Sequence, residues 1–204
     1  MRSSLLLFVC LLLLLSIEST ESRIVQAETP VNQTCLNFGH EHDCRFYSCF
    51  EERFPCGPSY WIMKWGNKYC LRMQKSLANF DKTGQELLDQ ISKCLTNKLI
   101  KQRYYTLNSI NCEQLRIAGQ RIVHECHMNH AKLFCDAFHG KNRDCFIQLM
   151  DNEDQHDFTV IKTLASLGQK CTPKKRLADM RPRGKSNQCP PSSTSWAVTA
   201  RNRN

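Results

Sequence analysis

The chain has 204 residues, 13 cysteines and a formal net charge of +9, from 28 Lys and Arg against 19 Asp and Glu. That length suffices for one domain with a hydrophobic core. Cysteines in such number, without paired C-x-x-C knuckles, argue against a cytosolic zinc protein and for a disulfide framework. The charge is uneven: after Cys171, eight basic residues face Asp179 alone, so the surplus sits on a tail rather than on a structured face that could read nucleic acid.

In chain order, residues 1–22 read as a signal peptide. Arg2 precedes an apolar run of eleven residues, Leu5 to Leu15, too short to span a bilayer but suited to the core of a secretory signal. Cleavage is expected between Ser19 and Ala27. Cys10 leaves with the signal, so an even set of twelve cysteines remains. No other stretch approaches transmembrane length, and the expected location is extracellular. Residues 28–34 read as a short polar leader. Its Asn32-Gln33-Thr34 is the one N-glycosylation sequon in the sequence, and Asn32 is the expected glycan site.

A helix is expected over Cys44 to Arg53, where Phe46, Tyr47, Cys49 and Phe50 recur at helical spacing; Pro55, Gly57 and Pro58 then turn the chain. Trp61, Trp65, Tyr69, Met73 and Leu77 follow at i+4 spacing, one face of a helix loosened near Gly66. Such a stripe reads as core in preference to a ligand groove. Thr83 and Glu86 have capping-box spacing ahead of a buried stripe of Leu87, Leu88, Ile91, Cys94, Leu95 and Leu99. A further helix should start near Asn111, with Leu115, Ala118, Ile122, Val123 and Cys126 on one face. Short helices are expected around Leu133–Phe138 and Cys145–Met150. Asp157 should cap a last helix carrying Val160, Ile161, Leu164 and Leu167, with Gly168 as its stop. No alternating strand pattern competes. Residues 172–204, rich in Pro, basic and small polar residues, read as a disordered tail.

Four segments invite a chemical reading. His124, His127 and His130 are spaced i, i+3, i+6; two could share a face, but a third zinc ligand drifts around the helix, so a solvated face is expected. His42-Asp43 before Cys44 has the flavour of a secreted phospholipase, yet no Gly-rich calcium loop precedes it. Asp151 to Asp157 is rich in carboxylates but has His156 where an EF-hand needs its Gly, and reads as a solvated loop. Lys174, Lys175 and Arg176 could be a processing site or a patch for a polyanion such as heparan sulfate, or could simply solubilise the tail. None assembles a catalytic constellation, and no metal or cofactor is expected.

The cysteine order and the residues between resemble the stanniocalcin family of secreted glycoprotein hormones over about residues 35–171. The likeness runs through Cys35-Leu36-Asn37, Asp43-Cys44 and Phe46-Tyr47-Ser48-Cys49-Phe50-Glu51. It is strongest at Phe80-Asp81-Lys82-Thr83-Gly84-Gln85 leading to Lys93-Cys94, and continues with Cys112, Glu125-Cys126, Cys135 and Cys171. The resemblance implies the pairs Cys35–Cys49, Cys44–Cys70, Cys56–Cys112, Cys94–Cys126 and Cys135–Cys171. Cys145 and Cys189 remain; they could pair with each other, or Cys189 could link two chains, since family members are typically disulfide-linked dimers. The longer Cys56–Cys70 segment, the moved sequon and the short tail depart from the family pattern.

The expected protein is therefore all-α: a compact, disulfide-stapled helical domain over 28–171 with a basic tail over 172–204. The resemblance implies a non-enzymatic signalling factor in calcium and phosphate balance, a homodimer acting through a cell-surface receptor or another extracellular protein. The alternative is a secreted module that inhibits an extracellular protease or other enzyme, which in covalent form would need a free thiol at Cys145 or Cys189.

Overall fold

The computed structural model describes residues 22–171 and Cys189. The expected signal peptide, the basic tail and the Lys174-Lys175-Arg176 cluster lie outside the described residues. Those described form an all-α domain with nine α-helices: α1 (Gln33–His40), α2 (Arg45–Arg53), α3 (Lys68–Ser76), α4 (Lys82–Leu99), α5 (Cys112–Asn129), α6 (Ala131–Ala137), α7 (Gly140–Leu149), α8 (Asn152–Gln155) and α9 (Phe158–Lys170). Their strand content is one short antiparallel ribbon, β1 (Ile24–Gln26) against β2 (Ser109–Asn111), with Val25 opposite Ile110.

That ribbon revises the N-terminal boundary. Residues 24–26 belong to the fold, so a cut after Ala27 would remove a strand, and the folded unit begins ahead of residue 28. Three-residue strands are too short to show alternation, and periodicity does not find them. The polar leader is also structured from Asn32 on: its side chain accepts from the Thr34 amide at 2.8 Å and caps α1.

α4 is the central helix. Leu87, Leu88, Ile91, Leu95 and Leu99 are buried along it, and it packs against α1, α5 and α6. Its cap is Asp81, whose carboxylate accepts from the Gly84 amide at 2.9 Å, so the helix starts before the expected Thr83. Asn142 of α7 explains the choice. Fully buried, it accepts from the Asp81 amide at 3.0 Å and donates to the Asp81 carboxylate at 2.7 Å. A Cβ on Gly84 would stand 2.9 Å from its amide group. Phe80, Asp81 and Gly84 thus have definite local jobs: Phe80 is buried, Asp81 caps, and Gly84 admits Asn142.

The other end of α4 runs into a π-helical segment, Ile100–Tyr104, which delivers Tyr104 to a cluster with Phe46 and Phe50 of α2 and Phe54 just beyond it. Arg53 lies buried beside this cluster. Its guanidinium donates to the carbonyls of Thr29, Tyr104 (3.2 Å) and Leu107 (3.0 Å), and its carbon sits 5.0 Å from the Phe54 ring centroid. Three carbonyls supply acceptors that water would otherwise provide to a buried cation. One side chain thereby ties β1's exit, α2 and the approach to β2.

A second π-helical segment, Ile62–Asn67, leads into α3. The expected loosening near Gly66 takes this form, and it lets Gly66 approach Tyr47, where a Cβ would stand 2.5 Å from the phenol ring. α9 is capped by Asp157, whose carboxylate accepts from the Thr159 amide at 2.8 Å, but it continues through Gly168 to Lys170. Leu167 of its expected stripe is buried, whereas Ile161 is 50% and Phe158 78% exposed. The stripe is split because α9 lies on α5 and α6 with one narrow edge only.

Candidate functional site

The twelve cysteines from Cys35 onward form six disulfides among the described residues. Cys35–Cys49 ties α1 to α2, and Cys44–Cys70 ties α2 to α3. Cys56–Cys112 joins the turn after α2 to α5, and Cys94–Cys126 joins α4 to α5. Cys135–Cys171 closes α6 onto the end of α9. These are the five pairs the resemblance implies. The sixth bond is Cys145–Cys189, so both remaining cysteines are engaged within the chain.

The segments with a chemical flavour take up structural contacts. Asp43 binds Arg45 Nε at 2.9 Å, which holds its carboxyl below the usual range, and His42 Nδ1 lies 3.2 Å from Thr96 Oγ1. The acidic stretch is not a solvated loop: Asp154 is buried, accepting from Tyr69 Oη and from Lys68 Nζ at 3.1 Å, and Asp151 pairs with Lys68 and with Arg72 at 2.7 Å. The stretch thus pins α8 to α3. The three histidines part company. His124 Nδ1 is 3.1 Å from Thr163 Oγ1, His127 Nδ1 donates to the Val123 carbonyl at 2.8 Å, and His130 stands at the start of α6. No group of three His, Cys, Asp or Glu side chains with metal-binding geometry occurs among the described residues. Asn32 is exposed, and its capping bond uses only the carbonyl oxygen of its side chain, so the amide nitrogen stays available for a glycan.

The feature that sequence reasoning missed is a cavity. It measures about 220 Å³ and lies where α3, α4, α5 and α9 converge. One wall is Trp61, Trp65, Tyr69 and Met73, most of the stripe expected to be plain core. Leu87, Leu88 and Ile91 of α4 form the opposite wall, and Phe134 and Phe138, stacked at 4.8 Å, close one end. Val123 and His127 of α5 face Val160 and Thr163 of α9 across it.

Its polar lining comes from several elements, among them Tyr47, Gln120, His127, Asp157 and Thr163. Asp157 is the sole acidic residue in the lining, and neither Lys nor Arg contributes. Burial lowers the pKa of His127, aided by His124 and His130 and opposed by the bond to Val123. The ring is therefore neutral at pH 7, with its proton on Nδ1, and Nε2 remains an acceptor. Among the described residues Nε2 has no hydrogen-bond partner. The i+4 aromatic spacing was the signal for this wall, but spacing reports only that residues share a face, not whether the facing helices meet.

Compared with known proteins, the chain matches no family model, no curated protein and no solved structure.

Proposed function

We propose that this is a secreted signalling factor of the stanniocalcin type, acting by recognition at cell surfaces and not by catalysis. The observation that carries the reading is the disulfide framework: its first five pairs are those the resemblance implies. Six disulfides suit an oxidising compartment, and no helix among the described residues is long and apolar enough to cross a membrane. A role in calcium and phosphate balance, a receptor partner and heparan sulfate binding through the tail belong to this proposal. So does a homodimer, which would be held by non-covalent contacts because Cys145 and Cys189 bond to each other. The same bond removes the thiol that a covalent inhibitor of an extracellular enzyme would use.

The test is to add the purified, oxidised protein to epithelial cells and measure its surface binding and their phosphate and calcium uptake. Saturable binding that reduction abolishes, together with a change in uptake, is expected. Binding that does not saturate, with uptake unchanged, would overturn the proposal.

A further inference from the structure

The cavity has a composition that selects among small molecules. Its volume is about 220 Å³. An apolar cavity of about 150 Å³ takes up benzene, six carbons, so this one suits about nine. Trp61, Trp65 and Leu88 offer it rings and branched carbon, which suit an alkyl or terpenoid body. The polar lining discriminates more sharply. His127 Nε2 is a lone pair without a partner among the described residues, because Nδ1 donates to Val123. Asp157 adds a second acceptor and already serves the amides of Thr159 and Val160. No cation lines the cavity. A carboxylate entering here would meet the carboxylate of Asp157 and, against it, only neutral donors such as Gln120 and no counter-charge, whereas a hydroxyl can donate to His127 Nε2.

We propose that the cavity bounded by Trp61, Trp65, Leu88, Val123, His127 and Val160 binds a neutral apolar molecule of about nine carbons that carries a single hydroxyl, the hydroxyl donating to His127 Nε2. The site excludes fatty acids as their anions and accepts the alcohols of the same length. It stands apart from the signalling proposal, since it needs no receptor and is tested with the isolated chain.

The test uses the full secreted chain and three probes of one length: 1-nonanol, nonanoate and nonane. Trp61 and Trp65 report occupancy through their emission, and thermal unfolding gives a second readout. The expected result is saturable binding of 1-nonanol with a raised unfolding temperature, and nonanoate weaker by tenfold or more at neutral pH. His127→Phe keeps a ring but removes the acceptor; it should bind 1-nonanol about three- to tenfold more weakly while leaving nonane unchanged. Val160→Phe fills the cavity and should lose all three probes while circular dichroism reports an intact helical fold. Failure of 1-nonanol to bind would overturn the proposal. So would equal binding of the alcohol and the anion, or an unchanged preference in the His127→Phe protein.

Discussion

The indole of Trp61 lies against Gly119 of α5, so closely that a Cβ at Gly119 would stand 2.5 Å from Cδ2 and Cε2 of the ring. This contact sets the distance between the π-helical entry to α3 and the helix across from it, and with it one wall of the cavity. Real Cβ atoms do not sit that close to an aromatic ring, so one of the two helices would have to move. Gly119→Ala is therefore expected to cost about 1–3 kcal/mol through overpacking. Gly168 is the control, because a Cβ there meets nothing within 4 Å. Gly168→Ala should stabilise by about 0.5–1 kcal/mol through helix propensity. Urea midpoints of the two variants check the contrast.

Asn142 holds the start of α4 through both its donor and its acceptor. Replacing it with Ala would leave the Asp81 amide without its acceptor in a half-buried place, at a cost of about 1–3 kcal/mol. Asp81→Ala should cost about 1 kcal/mol as a lost cap. Because the two share one network, the double variant should cost less than the sum. Additive losses in a denaturant double-mutant cycle would show that the two act independently.

Much of this was legible from the sequence. Helical spacing located α2, α4, α5 and α9, and Asn111 and Asp157 were readable as caps because both precede an apolar periodic run. Thr83 misled because the capping-box pattern is local, whereas the choice of Asp81 depends on Asn142, 61 residues away. Arg53 escaped notice for the same reason: its three carbonyl partners lie 24 to 54 residues distant. The cavity could not be read at all, since a void depends on how four helices converge and no residue type encodes it.

Burial lowers the pKa of both His127 and His42 below the ordinary histidine value of 6.5. Asp89 opposes the shift at His42. His127 has His124 on its own helix, His130 just beyond its end and Asp157 across the cavity. With a folded pKa below the unfolded one, the unfolded chain takes up the proton first as the pH falls. The contribution to stability is fully present above about pH 6.5 and is lost as the pH drops through the folded values. Asp43, Asp81, Glu125 and Asp151, whose pKa values are also lowered, act only further down, below their unfolded values near 4. Stability should therefore fall as the pH drops below about 6.5, and that of His127→Gln should fall less. Equal slopes in the two proteins would assign the loss elsewhere.

Asn32 serves α1 as its cap and offers its amide nitrogen to a glycan at the same time. Thr34→Ala should remove the glycan yet leave the cap, because the cap uses the Thr34 backbone amide. Asn32→Ala should remove both and cost about 1 kcal/mol more. Intact mass of the secreted variants reads the glycan, and thermal unfolding reads the cap.

Six disulfides close the framework within a single chain, and a disulfide map of the secreted protein tests this most directly. Mass spectrometry of unreduced proteolytic peptides should find Cys35–Cys49, Cys44–Cys70, Cys56–Cys112, Cys94–Cys126, Cys135–Cys171 and Cys145–Cys189, all within one chain. A Cys189 peptide joined to its copy from a second chain, or any exchange among the first five pairs, would contradict it.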